Sequence, residues 1–227
     1  MEKYDRLCSD LHIGNRLDYT SIHQFCAKAR LEREQIKRIF YLGDIAELIF
    51  APPDQVFNRS PHREAIRDIS RTAEIVESII LTGNHDLGLE KWVYFFLPAR
   101  ILASPQTLDD GIYLSHGWEF DLNIRIFHKL HWWLAMNFPK IFSLINKTPW
   151  LAKEQWNQEQ YGGYVDRIHS SLFQGLIKHN YKLGVMGHTH SPTIWSSPKL
   201  PTLVDTGDLL DSNTYVILEP TPRICEV

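Results

Sequence analysis

Five short polar stretches, each closing an apolar run, constrain this chain more than anything else in it. They are Ser9-Asp10-Leu11-His12, Gly43-Asp44, Gly83-Asn84-His85-Asp86, His116-Gly117 and Gly187-His188-Thr189-His190. The runs before them, Tyr4 to Cys8, Lys37 to Leu42, Ser78 to Leu81, Ile112 to Leu114 and Leu183 to Met186, have the length and composition of strands. Helical signals fall between them. From Thr20 to Gln35 the apolar positions Ile22, Phe25, Cys26, Ala29 and Ile36 recur at helical spacing. Ser60 reads as the N-cap of a helix that opens on Pro61 and runs toward Thr72. After Gly187-His188-Thr189-His190, the runs Thr193 to Trp195, Thr202 to Val204 and Tyr215 to Leu218 predict a β-meander, with turns at Ser196-Ser197-Pro198 and Asp211-Ser212-Asn213.

This alternation predicts an α/β fold in which the polar stretches share the rim at the C-terminal strand ends, where such folds bind ligands. Turn chemistry would account for Gly43-Asp44 alone. It does not account for five histidines arriving at successive strand ends.

Composition frames the fold without naming the chemistry. The 227 residues, 44% hydrophobic and 22% charged, suit a single soluble domain over 1–227 with a sizeable core. A net charge of −3 gives no global basic field for nucleic acid. Cys8, Cys26 and Cys225 form no C-x-x-C pair and read as reduced thiols of a cytoplasmic protein. The start, Met1-Glu2-Lys3-Tyr4-Asp5-Arg6, is too polar for a signal peptide, and no run of apolar residues is long enough to span a bilayer.

The chemistry comes from the donor types. Asp10 and His12, like His188 and His190, are two residues apart, so on extended backbone each pair faces one way. Mixed carboxylate, carboxamide and imidazole donors suit Mn²⁺, Fe, Zn²⁺, Co²⁺ or Mg²⁺ and argue against a thiolate site. Two divalent ions with Asp10, Asp44 and a hydroxide would leave a residual charge of about +1, which suits an anionic phosphate.

In the order D-x-H, G-D, G-N-H-D, H-G, G-H-x-H, these residues resemble the calcineurin-like metallophosphoesterase family from Ser9 to Asp208. The resemblance implies an αββα sandwich of two mixed β-sheets flanked by helices. It implies one ion on Asp10, His12, Asp44 and His190, and a second on Asp44, Asn84, His116 and His188, with manganese the leading choice of metal. A hydroxide shared by the ions would attack a phosphodiester, phosphomonoester or pyrophosphate. His85 would stabilise charge on the phosphoryl or leaving-group oxygen, or protonate the latter, and Asp86 would orient His85. Glu47 reads equally as a support of the site or as an ordinary first-turn residue of a helix. Asp205 and Asp208 read as site support or as plain turn formers. The remaining histidines, 23, 62, 128, 131, 169 and 179, read as surface residues.

About seventy residues separate His116 from His188, more than a crossover needs. A helical lid is expected over 119–160. Its stretch from Leu122 to Lys153 carries Arg125, Lys129, Lys140, Lys147 and Lys153, several Trp and Phe, and no acid. Leu122, Ile126, Leu130 and Trp133 or Leu134 form a stripe at helical spacing, broken later by Pro139 and Pro149. Such a segment either packs on the sandwich or binds an acyl chain or an anionic membrane, peripherally, through 122–153. With Gly43-Asp44-Ile45-Ala46-Glu47, it resembles the branch containing UDP-2,3-diacylglucosamine pyrophosphohydrolases, which differs at His85 and Trp118. The partners this implies are a phosphate-containing small molecule or a lipid-linked substrate rather than nucleic acid. A further alternative, a non-catalytic scaffold on the same fold, would be signalled by lost ligands, and here every motif residue is in place.

Overall fold

A computed structural model describes residues 3–227 except 50, 87, 109, 123, 127–129, 131–132, 134–157 and 220. Most of the expected lid, including its prolines, therefore lies outside the described residues.

The chain runs β1 (Tyr4–Cys8), α1 (Thr20–Leu31), β2 (Ile36–Leu42), α2 (Pro53–Asn58), α3 (His62–Ala73) and β3 (Ser78–Thr82). A 3₁₀ segment at Leu89–Phe95 leads to β4 (Arg100–Ala103), β5 (Gln106–Thr107) and β6 (Ile112–Leu114). A long helix, α4 (Gln158–His179), then precedes β7 (Leu183–Met186), β8 (Thr193–Ser197), β9 (Leu200–Asp205), β10 (Thr214–Leu218) and β11 (Arg223–Glu226).

Two mixed sheets result. One is ordered β11-β10-β1-β2-β3-β4, with β1 to β4 parallel; the other is β5-β6-β7-β9-β8, with β6, β7 and β9 parallel. The period-two geometry of a strand sorts the apolar residues between two cores. Leu7, Phe40, Leu42, Leu81, Leu114, Val185, Val204 and Val216 fill the space between the sheets. Cys8, Ile39, Tyr41 and Ile80 point the other way, against Ile22, Phe25 and Cys26 of α1 and Ile66 and Ile69 of α3. On the far side, Ile168, Leu172 and Leu176 of α4 pack on Met186 and Leu203. These layers make the expected αββα sandwich.

Three local expectations change. Helix α1 stops at Leu31, and Ile36 opens β2 opposite Tyr4 instead of continuing the helical stripe. The tail is no meander: β8 and β9 form a hairpin in one sheet, while β10 crosses to the other and pairs with β1 and β11. His62 is buried, with its ring nitrogen 2.9 Å from the Tyr19 hydroxyl, which also accepts the Gly14 N–H. It thereby pins the loop that follows His12. His23 lies at the surface beside Asp68, as expected, whereas His128 and His131 lie outside the described residues.

Candidate metal centre

All of the sequence-predicted donors gather on the rim above β1, β2, β3, β6 and β7. Backbone hydrogen bonds lock the first two loops together, Asp10 N–H to Gly43 O at 3.0 Å and His12 N–H to Asp44 O at 2.8 Å. Gly43 must turn with φ +91, and a Cβ there would lie 2.6 Å from His116 Cγ, so only glycine lets His116 pack over this turn. Asp10, His12, Asp44, His188 and His190 all hold positive φ, between 41 and 71°, although none is glycine. Left-handed backbone costs roughly 1 kcal/mol or more per residue, and its concentration here marks a functional rim.

Several of the donors are braced from behind by hydrogen bonds. Asp10 uses Oδ2 to accept the Ser9 hydroxyl at 2.5 Å and the His188 N–H at 2.9 Å. Asp44 uses Oδ1 for the His85 N–H at 2.8 Å, which aims Oδ2 at His116 Nε2, 3.2 Å away, and at His12 Nε2, 4.0 Å away. His116 donates from Nδ1 to the Leu42 carbonyl at 2.7 Å, the tautomer that leaves Nε2 a lone pair. The donors fall into overlapping groups with ligand atoms within 4.8 Å of one another: Asp10, His12 and His190; His12, Asp44 and His85; and Asp44, His116 and His188. The first holds three of the residues expected on one ion and the last three of those expected on the other; Asn84 falls in none of the groups.

Asp10 Oδ1, Asn84 Oδ1 and His116 Nε2 are buried and complete no well-formed hydrogen bond, although His190 Nε2 stands 3.2 Å from the first and Asp44 Oδ2 3.2 Å from the last. An orphaned buried polar atom costs about 1–3 kcal/mol, so each of these calls for a partner. A cation would suit the Asp10 and Asn84 oxygens and, by displacing the proton that Asp44 holds on it, His116 Nε2, so the residues fit a divalent pair.

Electrostatics tell the same story from the protein side. Burial would push the His116 and His190 imidazoles down, but the Asp44 and Asp10 carboxylates outweigh it and raise each to about 10. Burial likewise opposes ionisation of Asp10 and Asp44, yet the surrounding imidazoles hold both below the usual carboxylate range. A positive charge is what this cluster of groups is built to hold.

The residue that orients His85 is Glu47, which corrects the expectation for Asp86. The Glu47 carboxylate is fully buried and bridges two rings, Oε2 to His12 Nδ1 at 2.9 Å and Oε1 to His85 Nδ1 at 2.6 Å. Asp86 instead accepts the backbone N–H groups of Ala46 at 2.8 Å and Gly83 at 2.9 Å, so it shapes the loops that carry Asp44 and Asn84. Desolvation pushes Asp86 up to about 6. For His85, burial lowers the imidazole, and the Glu47 and Asp44 carboxylates reverse this and lift it to about 9. With 18% of its side chain exposed, His85 reaches the opening of the site.

The late turn supports the centre too. Asp208 stands 3.5 Å from His190 Nδ1, and Asp205 accepts the Thr189 hydroxyl and lies 2.9 Å from His169 Nε2. His169 is thus a half-buried partner of this turn and not a surface residue. Asp121 and Tyr164, next to His188, carried no sequence signal at all, since neither belongs to a motif.

Among the described residues no helix is long and apolar enough to cross a membrane. No match to the chain is found among curated protein sequences. A predicted phosphoesterase from Streptococcus pneumoniae is similar in structure, with 15% identity, a TM-score of 0.43, and coverage of 100% of this chain and 90% of that one. A Vps29 single mutant from Entamoeba histolytica gives 14% identity and a TM-score of 0.47 over 95% of this chain and 85% of its own. A Pseudomonas putida nuclease gives 20% identity and a TM-score of 0.36 over 49% of this chain and 53% of its own. These likenesses are distant and carry no assignment. The sequence model for calcineurin-like phosphoesterases, in contrast, matches residues 7–192, a span that takes in all five motifs. With the sandwich and the rim of donors in hand, that match makes the chain a member of the calcineurin-like phosphoesterase family.

Proposed function

We propose that this chain is a hydrolase of phosphate esters or anhydrides that works with two divalent ions, manganese the first choice. The observation that carries the reading is Asp44 Oδ2, set between His12 Nε2 at 4.0 Å and His116 Nε2 at 3.2 Å, where the two groups of candidate donors meet. Ions held there supply Lewis acidity and a nucleophile drawn from water. Asp44 would be shared by the two ions and Asn84 would belong to the second, while the Asp10 and His190 pair, 3.2 Å apart, would hold the first. His85, which the Glu47 and Asp44 carboxylates raise to about 9 in the ion-free protein, is partly open, so it can neutralise a phosphoryl oxygen or give a proton to the leaving group.

A lipid-linked pyrophosphate is the sharper version, as in the UDP-2,3-diacylglucosamine pyrophosphohydrolases. Leu122, Ile126, Leu130 and Trp133 support it: they follow helical spacing and each is about half exposed or more. Basic residues through 122–153 would suit an anionic membrane beside that stripe, and reduced thiols suit a cytoplasmic face.

The test is hydrolysis by chelator-stripped protein, with and without Mn²⁺, of a chromogenic phosphodiester and of a diacylated nucleotide-linked sugar. Turnover only with Mn²⁺ is expected, faster on the acylated compound. Metal-independent turnover, or two bound ions with no turnover on either compound, would overturn the reading in favour of unrelated chemistry or a scaffold.

The pairing of Glu47 with His85 gives a second expected result. Glu47→Gln keeps the size of the side chain but removes the charge that raises His85. The acid should then lose its proton at lower pH, so the alkaline limb of the kcat profile moves down, and kcat falls by about 100-fold. Asp86→Asn should leave that limb where it is. Equal pH profiles for Glu47→Gln and wild type would assign Glu47 to structure alone.

A further inference from the structure

The insertion leaves and rejoins the sandwich on either side of one histidine. After β6 and His116, the chain makes the single turn Trp118–Phe120 and reaches Asp121; on its return it enters α4, whose early turns carry Tyr161 and Tyr164. Both ends converge on the loop that follows β7. The Tyr164 hydroxyl donates to Asp121 Oδ2 at 2.7 Å and lies 3.2 Å from His188 Nε2, and the same carboxylate oxygen is 3.5 Å from that nitrogen. Tyr161 donates to the carbonyl of Thr189, the next residue along.

Asp121 has two tasks at once. Its Oδ1 accepts the Ile124 N–H at 3.3 Å, and its own carbonyl accepts the Arg125 N–H at 2.9 Å, which starts the first turn of the insertion. Its Oδ2 faces His188. One buried carboxylate therefore touches both the root of the insertion and a donor of the metal centre.

The ring of His188 has two nitrogens and two neighbourhoods. With Nε2 turned to Asp121 and Tyr164, Nδ1 is the nitrogen left for an ion grouped with Asp44 and His116. A carboxylate on the outer nitrogen of a ligating histidine fixes the ring angle and makes the inner nitrogen a better donor. The neighbouring ion site has other groups behind it: Glu47 hydrogen-bonds His12, and Asp208 stands 3.5 Å from His190 Nδ1. Loss of the Asp121 and Tyr164 contacts should thus fall on one site and spare the other.

We infer that Asp121 and Tyr164 are positioning residues for the second ion, and that through them the two ends of the insertion set the hold of His188 on that ion. The inference rests on the two-ion reading above. Its consequence is specific: a substrate that displaces either end of the insertion changes the affinity for one ion and not for both.

The experiment is a Co²⁺ titration of chelator-stripped protein in competition with a chromogenic chelator, with the visible absorption of bound Co²⁺ followed in parallel. Wild type, Asp121→Asn and Tyr164→Phe would be compared. Asp121→Asn keeps the size and the Ile124 cap, and Tyr164→Phe removes one hydroxyl only. Two ions are expected on wild type. Each variant should keep one ion at wild-type affinity and weaken the other by about 10–100-fold, with a changed Co²⁺ spectrum for that ion alone. Two ions at wild-type affinity in both variants would overturn the inference and leave the two-ion reading intact. Equal weakening of both ions, with a lower unfolding midpoint of the stripped protein, would also overturn it, by reducing the pair to a structural staple. A single ion on wild type would overturn the two-ion reading and this inference together.

Discussion

Asp44→Asn is expected to cut turnover by about a thousandfold or more, which is about 4 kcal/mol of transition-state stabilisation, and to weaken both ions. The substitution changes no volume, so its effect is chemical. If the amide places its oxygen where Oδ1 accepts the His85 N–H, its NH₂ takes the place of Oδ2, between His12 and His116. A donor then points where a cation belongs. If the amide turns over, its NH₂ meets the His85 N–H instead, and that loop moves. Neither orientation restores the site. Metal counting, turnover and near-ultraviolet dichroism on one preparation would check this. Two bound ions with near-normal turnover would remove Asp44 from the centre of the site.

The second large effect is on stability. Gly83 follows β3, and a Cβ there would sit 2.9 Å from Asp44 Cγ and closer still to Asp44 Oδ1 and its backbone nitrogen. Backbone nitrogen cannot swing aside as a long side chain can. Gly83→Ala should therefore cost about 1–3 kcal/mol as overpacking, or a midpoint lower by about 2–12 °C for a chain of this size. Because Asp44 must move and Asn84 is the adjoining residue, ion binding should weaken along with stability. Gly162→Ala on α4, where a Cβ meets nothing within 4 Å, provides the contrast and should not lower the midpoint. Thermal unfolding of the stripped and metal-loaded proteins measures both effects. An unchanged midpoint in Gly83→Ala would show that the turn has more room than its packing indicates.

What could be read from sequence followed locality. Each central strand ends on its own motif, so the runs before Asp10, Asp44, Asn84, His116 and His188 carried both the strand and the donor it delivers. Edge strands carried far less: β4, β5 and β11 are two to four residues long and largely half exposed, with little apolar pattern to mark them. Helix α4 is interrupted by Gly162-Gly163, which masks its period in the sequence. Strand β10 was visible as a strand, but a run of apolar residues does not state which sheet it joins. Partners that meet only in three dimensions were invisible for the same reason. Asp86 lies next to His85 in sequence, yet it is Glu47, thirty-eight residues away, that reaches the ring. His62 looked like a surface residue until Tyr19 was packed beside it.

The orphaned acceptors on the rim also bear on how long such a protein survives in a cell. Buried donors left without the cation that suits them make the ion-free chain the less stable one, and ligand binding to the folded form alone raises its stability by mass action. Proteases draw on the unfolded fraction, so a small change in stability is read out as abundance. Scarcity of the right divalent ion would then first remove the protein, and only afterwards slow the molecules that remain.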